Sequence, residues 1–261
     1  MIKKFTIILI TTFTLISSVN ASSDGELLLK KNDPSEVKDC WEGFNRASFA
    51  LNQGLDKIIF KPVASVYRTL PAPVKTGVSN SINNLSNVVT IPNNILQGDF
   101  SKAGVNTGRF LINTTLGVLG LMDVAQQIGL SEYEREDYGQ TLAVNGVGPG
   151  CYLVLPVLGP KTARDTVASA VGFIGGDAWY NITVREDTQY VSEFDYYSSR
   201  VMAGVDFRAK NYDSIENLEK NSLDFYASVK SIYLQDRQQK ILNSDVVVES
   251  MDDSDWEEIE N

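Results

Sequence analysis

The chain has 261 residues, 43% of them hydrophobic, which suffices for one large domain or two small ones with a sizeable core. Its formal charge of −10 argues against a nucleic-acid binder, because neutralising phosphates requires a basic face. It has no histidine and two cysteines, which removes Ser-His, Cys-His and His-metal chemistry together with any all-cysteine zinc site.

Residues 1–21 read as a cleaved export signal. Lys3 and Lys4 form the positive start, Phe5 to Val19 a short and mostly apolar stretch, and Val19-Asn20-Ala21 a small-residue cleavage site. The alternative is an uncleaved anchor, for which this Thr- and Ser-containing stretch is short, since a span takes about 20 residues. Residues 22–38 read as a polar linker. Cys40 follows the charged Glu36, Lys38 and Asp39, so no lipobox cysteine is expected at the end of the signal.

Residues 39–243 read as one domain with mainly helical signals. Asp39-Cys40-Trp41-Glu42 has the spacing of a capping box. Phe44, Leu51, Leu55, Ile58 and Ile59 then recur at helical spacing until Lys61-Pro62 ends or interrupts the helix. Pro71 and Pro73 frame a turn. Val74, Val78, Ile82 and Leu85 mark a short amphipathic helix, and a further segment runs to Gln97 with Pro92 as a kink or break. Lys102 to Leu116 predicts a helix with a small-residue face at Ala103, Gly104, Thr107 and Gly108. The apolar stretch Leu116–Ala125 is either core or a lipid-contacting surface. Tyr152–Leu155 alone reads as extended. Thr162-Ala163-Arg164-Asp165 offers a second capping box, for a helix to about Ile174 closed by Gly175-Gly176. Helices follow around Val201–Phe207, at Leu218, and from Ser222 to Leu242 with Tyr226, Val229 and Tyr233 on one stripe. Ser244–Asn261 carries eight acids and no base and is expected to be a disordered tail, either solubilising or docking a basic partner.

No catalytic set emerges. Gly146-Val147-Gly148-Pro149-Gly150 looks superficially like a phosphate loop. Such a loop opens a helix, and here Pro149 and an extended run follow instead. Glu132, Glu134, Glu136 and Asp137 cluster at a spacing that a solvated loop explains better than a metal or an acid–base pair. No metal or cofactor is expected.

Read in order, WEGFNRASFALN (41–52), KPVASVYR (61–68), PVKTGVSNSINNL (73–85), ILQGD (95–99), GRFLINTTLGVLGLMDVA (108–125), DYGQTL (137–142), GVGPGCYLVLPVLGP (146–160), ARD (163–165) and the stretch 205–237 resemble the MlaA/VacJ family of outer-membrane phospholipid-transport proteins. The resemblance implies an all-α, ring-like single domain of amphipathic helices lying in the inner leaflet of the outer membrane, on its periplasmic face. It implies an amphipathic channel beside a trimeric outer-membrane porin, through which stray phospholipids leave the outer leaflet for a soluble periplasmic carrier of the Mla system. It assigns Gly146, Gly148 and Gly150 to a hairpin that gates the channel, and it makes Arg68, Arg109 and Arg164 headgroup contacts, unless each serves only to hold the fold. The family has proline where Cys40 and Cys151 stand, and two such replacements in an oxidising compartment imply a disulfide between them. A porin-binding envelope protein that moves no lipid is the competing expectation.

Overall fold

The structure is a computed structural model that describes residues 37–131, 134–171, 180–181 and 192–242. The signal, most of the linker, Glu132, the Ile174-Gly175-Gly176 helix end and the acidic tail lie outside these residues.

Helix α1 (Glu42–Leu55) runs through a π-helical turn (Asp56–Phe60) directly into α2 (Lys61–Arg68). The wider turn absorbs Pro62, so the proline interrupts the α-helical pattern without ending the rod. Pro71 then caps α3 (Ala72–Leu96), a 25-residue helix that carries Pro92 inside it. The short helix and separate segment expected here are one rod. Asn93 donates its side-chain amide to the Val89 carbonyl at 2.8 Å, which restores a hydrogen bond in the turn that Pro92 disturbs. Gly98, at φ 82, turns the chain, and Asp99 caps α4 (Phe100–Thr115) by accepting from the Lys102 amide.

The rest is shorter until the C-terminal third. Helix α5 (Val124–Gln127) and α6 (Tyr138–Val144) precede an antiparallel hairpin of β1 (Tyr152–Leu155) and β2 (Gly159–Thr162), with Tyr152 opposite Thr162. Helix α7 (Ala163–Val171) leaves β2 directly. Then come α8 (Glu193–Lys210), α9 (Tyr212–Asn221) and α10 (Phe225–Leu242). The fold is thus all-α apart from this hairpin.

The elements close a circuit. Helix α1 packs on β1, β2 on α10, α10 on α6, α6 on α3, α3 on α8 and α8 on α2, which returns through the π-turn to α1. Helix α4 packs along α3 outside this circuit. Apolar burial is divided into small clusters at the joints. Val37, Tyr152, Val154, Tyr226 and Leu234 form one, and Ala64, Tyr67, Val205 and Ala209 another. Val37 therefore belongs to the fold, and the Lys38 carbonyl accepts from the Tyr152 amide at 2.9 Å; the linker ends earlier than the expected Lys38.

One expectation fails at the first helix. Asp39 does not cap it: the N-cap is Trp41, without a side-chain bond, and the Asp39 carboxylate instead accepts from Asn45 (2.7 Å), Tyr226 (2.5 Å) and Lys230 (3.3 Å). The apolar face of α1 also points outward. Phe44, Leu51, Ile58 and Ile59 are exposed, whereas Asn45 and Ser48 are buried. At the second box Thr162 does accept from the Asp165 amide, but the Asp165 carboxylate serves a different partner.

Candidate functional site

The inverted helices set the character of the site. In α3 the buried positions are Gly77, Ser79, Asn84, Asn87, Thr90, Asn93 and Asn94, and in α4 they are Ala103, Asn106, Arg109 and Asn113. A helix on a water-exposed protein shows the opposite pattern. Polar side chains form a stable interior when they bond one another, and many of these do, although among the described residues the Asn84 and Asn87 side-chain oxygens and the Asn94 side-chain amide nitrogen find no partner. Asn106 donates to Asn94 (2.9 Å), Asn84 to Thr114 (2.8 Å) and Thr141 to Asn93 (2.6 Å). On α1, Asn45 and Asn52 play the part of a missing strand. Asn45 donates to the Tyr152 carbonyl and accepts from the Val154 amide, and Asn52 does the same for Leu155 and Val157, which satisfies the free edge of β1.

The outer surface is correspondingly apolar. Leu116–Met122 forms a knob in which Val118, Leu119 and Gly120 all have left-handed backbones, with Leu116, Leu119 and Leu121 exposed. For Val118 and Leu119 that conformation costs about 1–2 kcal/mol each. Most large side chains of Leu116–Met122 are exposed, while Ala125 at the end of the stretch is buried. Gly120 is obligatory: at φ 87 a Cβ would lie 2.6 Å from that of Asn84. Together with the outward face of α1 and α2, the knob exposes Trp41, Phe44, Ile58, Val66 and Leu119 to the surroundings. Among the described residues no helix is long and apolar enough to cross a membrane.

Inside the circuit lies a cavity of about 570 Å³ walled by α3, α6, the hairpin, α7, α8 and α10. Its wall is mixed. Val89, Leu158 and Ala168 are apolar, Tyr196, Tyr197 and Tyr233 are amphipathic, and charged groups lie between them. Arg237 organises the charges. It donates twice to Asp137 (2.7 Å each) and twice to Asp165 (3.0 and 2.9 Å). Tyr233 adds a bond to Asp165 at 2.7 Å. Burial works to raise the Asp137 carboxyl, but the Arg237 fork outweighs it and holds the group at about 2. Asp165 is likewise held below the usual carboxylate range. Burial pushes the Glu136 carboxyl up, although Gln97 and Gln140 donate to it. Among the described residues no grouping of ligating side chains could hold a metal ion.

The three arginines expected at headgroups take different positions. Arg109 is 3% exposed and donates to Asp123 (2.5 Å) and the Ser131 carbonyl (2.6 Å), fastening α4 to the segment after it. Arg164 is buried beside Asp165, with its Nε 3.1 Å from the carboxylate. Both hold the fold, and neither is presented to the cavity. Arg68 is exposed, forks onto Asp213 and stacks over Tyr212. The three glycines stand beside the hairpin. They form the base of the hairpin, and its border on the cavity comes from Leu158 and Lys161. Gly146, at φ 86, closes α6, with its amide on Ala143 and that of Val147 on Leu142. Gly150, at φ 67, gives room to Ala163, whose Cβ would be 2.9 Å from a Cβ there. The hairpin tip is a γ-turn at Val157, φ 66, where the Leu158 amide donates to the Pro156 carbonyl at 2.8 Å. Cys40 and Cys151 are joined by a disulfide, Cα atoms 5.7 Å apart, which ties the start of α1 to the base of this hairpin.

The sequence draws attention to Glu136, Asp137, Asp165 and Tyr233 in other roles, and it does not single out Arg237 or Lys161. The asparagines of α1 and α3 were passed over because periodicity was sought in apolar positions. Arg237 and Asp165 lie 72 residues apart, and their pairing carries no local signal.

A helical circuit that is apolar outside and polar within defines a protein of the membrane interface. The match to known proteins is of the same kind. The family model described as "MlaA lipoprotein" covers residues 37–240, and the chain belongs to that family. It is 34% identical over 210 residues to the intermembrane phospholipid transport system lipoprotein MlaA of Escherichia coli (strain K12), covering 78% of each chain. It is 31% identical to the protein of that name from Haemophilus influenzae, covering 83% of this chain and 84% of the other. An uncharacterized protein of Rickettsia bellii is 36% identical over 212 residues, 80% of this chain and 79% of that one. A solved structure described as the "structural basis for maintenance of bacterial outer membrane lipid asymmetry" superposes with a TM-score of 0.66 at 34% identity, covering 78% of this chain and 99% of the other.

Proposed function

We propose that the protein transports phospholipid at the outer membrane, with no covalent step. The observation that carries this reading is the pairing of an apolar exterior with a charged and tyrosine-lined cavity in one closed circuit. The exterior seats the helices at the headgroup boundary, as amphipathic helices seat themselves. Moving a headgroup through hydrocarbon is costly because its polar and charged groups lose water. A lined polar cavity lowers that barrier while the acyl chains stay on the apolar side.

In this reading stray phospholipids of the outer leaflet enter the cavity and pass to a soluble periplasmic carrier, which preserves lipid asymmetry. The hairpin is the gate: Leu158 borders the cavity, and Gly146, Gly148 and Gly150 at its base supply backbone freedom. Arg68, the exposed arginine of the three, is the one a headgroup can reach. A trimeric porin is the proposed neighbour. The protein arrives by a cleaved signal, and its apolar surface helps to hold it at the membrane.

Extraction of the tagged protein from outer membranes in mild detergent, with mass spectrometry of what accompanies it, tests this. Phospholipid together with a porin is the expected result. A porin without lipid would favour a purely structural envelope role, and a lone soluble protein would overturn the interfacial reading.

A further inference from the structure

Several charges of the cavity wall are matched. Arg237 is shared by Asp137 and Asp165, and Lys240 pairs with Asp236 at 2.7 Å. Arg200 lies over the Tyr196 ring. Two cations of the wall, Arg135 and Lys161, make no ion pair among the described residues, and of these Arg135 is exposed to solvent. Lys161 sits on β2, half-buried in the cavity wall, and among the described residues its ammonium makes no hydrogen bond. A cation in such a place is costly unless something pairs with it. Its register partner on β1 is the apolar Leu153, which offers the ammonium nothing.

Resting on the transport reading above, we infer that Lys161 is a phosphate-binding residue of the cavity, and that it makes the site favour anionic over zwitterionic phospholipid. The geometry suits a headgroup. Leu158 and Val89 offer apolar wall for the first methylenes, Tyr197 offers a hydroxyl, and Lys161 supplies the charge. In a chain of net charge −10, Lys161 is the half-buried cation of the cavity without an ion pair among the described residues, with the exposed Arg135 on the same wall. A zwitterionic headgroup already carries its own ammonium and gains less. Burial also lowers the Lys161 ammonium from its ordinary value, against the pull of Asp137 and Asp165, and a bound phosphate would raise it again. Free inorganic phosphate presents the same chemistry, so the test must separate the two sources.

The disulfide-intact chain, purified in mild detergent, is offered phosphatidylglycerol or phosphatidylethanolamine of equal acyl length, and bound lipid is counted by native mass spectrometry. Reaction of Lys161 with an amine reagent is followed on its peptide, with and without each lipid and with inorganic phosphate. Phosphatidylglycerol should bind preferentially and shield Lys161. K161Q should lose that preference through an approximately tenfold weaker hold on phosphatidylglycerol, the effect of one charge-assisted hydrogen bond, and K161R should keep it. A folded K161Q with the native preference overturns the inference, as does labelling of Lys161 in the native chain that no ligand slows. If inorganic phosphate shields Lys161 and no phospholipid binds, the anion site stands and the transport reading falls. If lipid binds without shielding Lys161, transport stands and this inference falls.

Discussion

Gly139 sits where a single methyl group would be felt most. A Cβ there would lie well inside contact distance of both the Arg237 guanidinium and the Asp165 carboxylate. Gly139→Ala should therefore force the fork apart and cost about 3 kcal/mol or more, read as a lower urea midpoint, because breaking a buried pair costs about 3–5 kcal/mol. Asn45 carries a comparable burden with a different chemistry. Asn45→Ala strips the Tyr152 carbonyl and the Val154 amide of their partners in a buried site. At about 1–3 kcal/mol for each unsatisfied group, a loss of about 3 kcal/mol is expected in the same measurement. Asn45→Asp should recover only the amide bond, since a carboxylate cannot donate to the carbonyl.

Among the elements, the Leu116–Met122 knob makes a prediction that separates stability from location. Leu119 is 74% exposed at φ 56, so its side chain supports no packing and its backbone is strained. Aspartate tolerates that conformation better than leucine. Leu119→Asp should leave the melting temperature unchanged or slightly higher. It should also weaken flotation with phospholipid vesicles by about tenfold or more, since burying one leucine contributes about 1.5–3 kcal/mol. Equal flotation of the variant would show that the knob does not face lipid. The hairpin shows the same division: β1 is held from outside by side chains of α1, and its tip at Val157 is strained and exposed.

For the whole molecule, two features decide when the circuit opens. Asp137 and Asp165 have folded values below the ordinary 3.8 of a carboxyl, so their contribution is complete above that value and is lost as pH falls. Urea midpoints should thus hold steady through pH 5 and drop between about pH 4 and 2. Glu136 acts with the opposite sign, because its raised value favours the protonated form in the fold. The second feature is the disulfide. Cys40 and Cys151 are 111 residues apart, and the chain-entropy model assigns a loop of about that length a stabilisation of about 4.7 kcal/mol. Dithiothreitol and Cys151→Ser should lower the urea midpoint equally; unequal losses would mean that the serine disturbs the hairpin base itself.

Helix positions were legible in the sequence because hydrophobic periodicity is local. It placed α1, α4 and α10, and Tyr152–Leu155 as the extended segment, within a few residues, whereas α8 begins at Glu193, well before the expected Val201. The order of motifs also carried the family. Periodicity shows that a helix has two unlike faces without showing which one is turned inward. That choice fell to groups far along the chain: Asn45 is a buried residue because β1 needs an edge partner, and Phe44 is an outer one because nothing in the fold covers it. Pro92 stays inside a helix because α4 and the Asn93 side chain support the turn. Asp39 abandons its cap because Tyr226 and Lys230 offer stronger partners. Arg109 and Arg164 bear family motifs yet are spent on holding the fold, while Arg237 and Lys161 meet across the cavity only once the circuit closes. The sequence by itself determined the elements and their kinship. Tertiary structure alone decided which polar groups became interior and which were left to bind, because pairing a buried charge or amide requires a partner that sequence distance conceals.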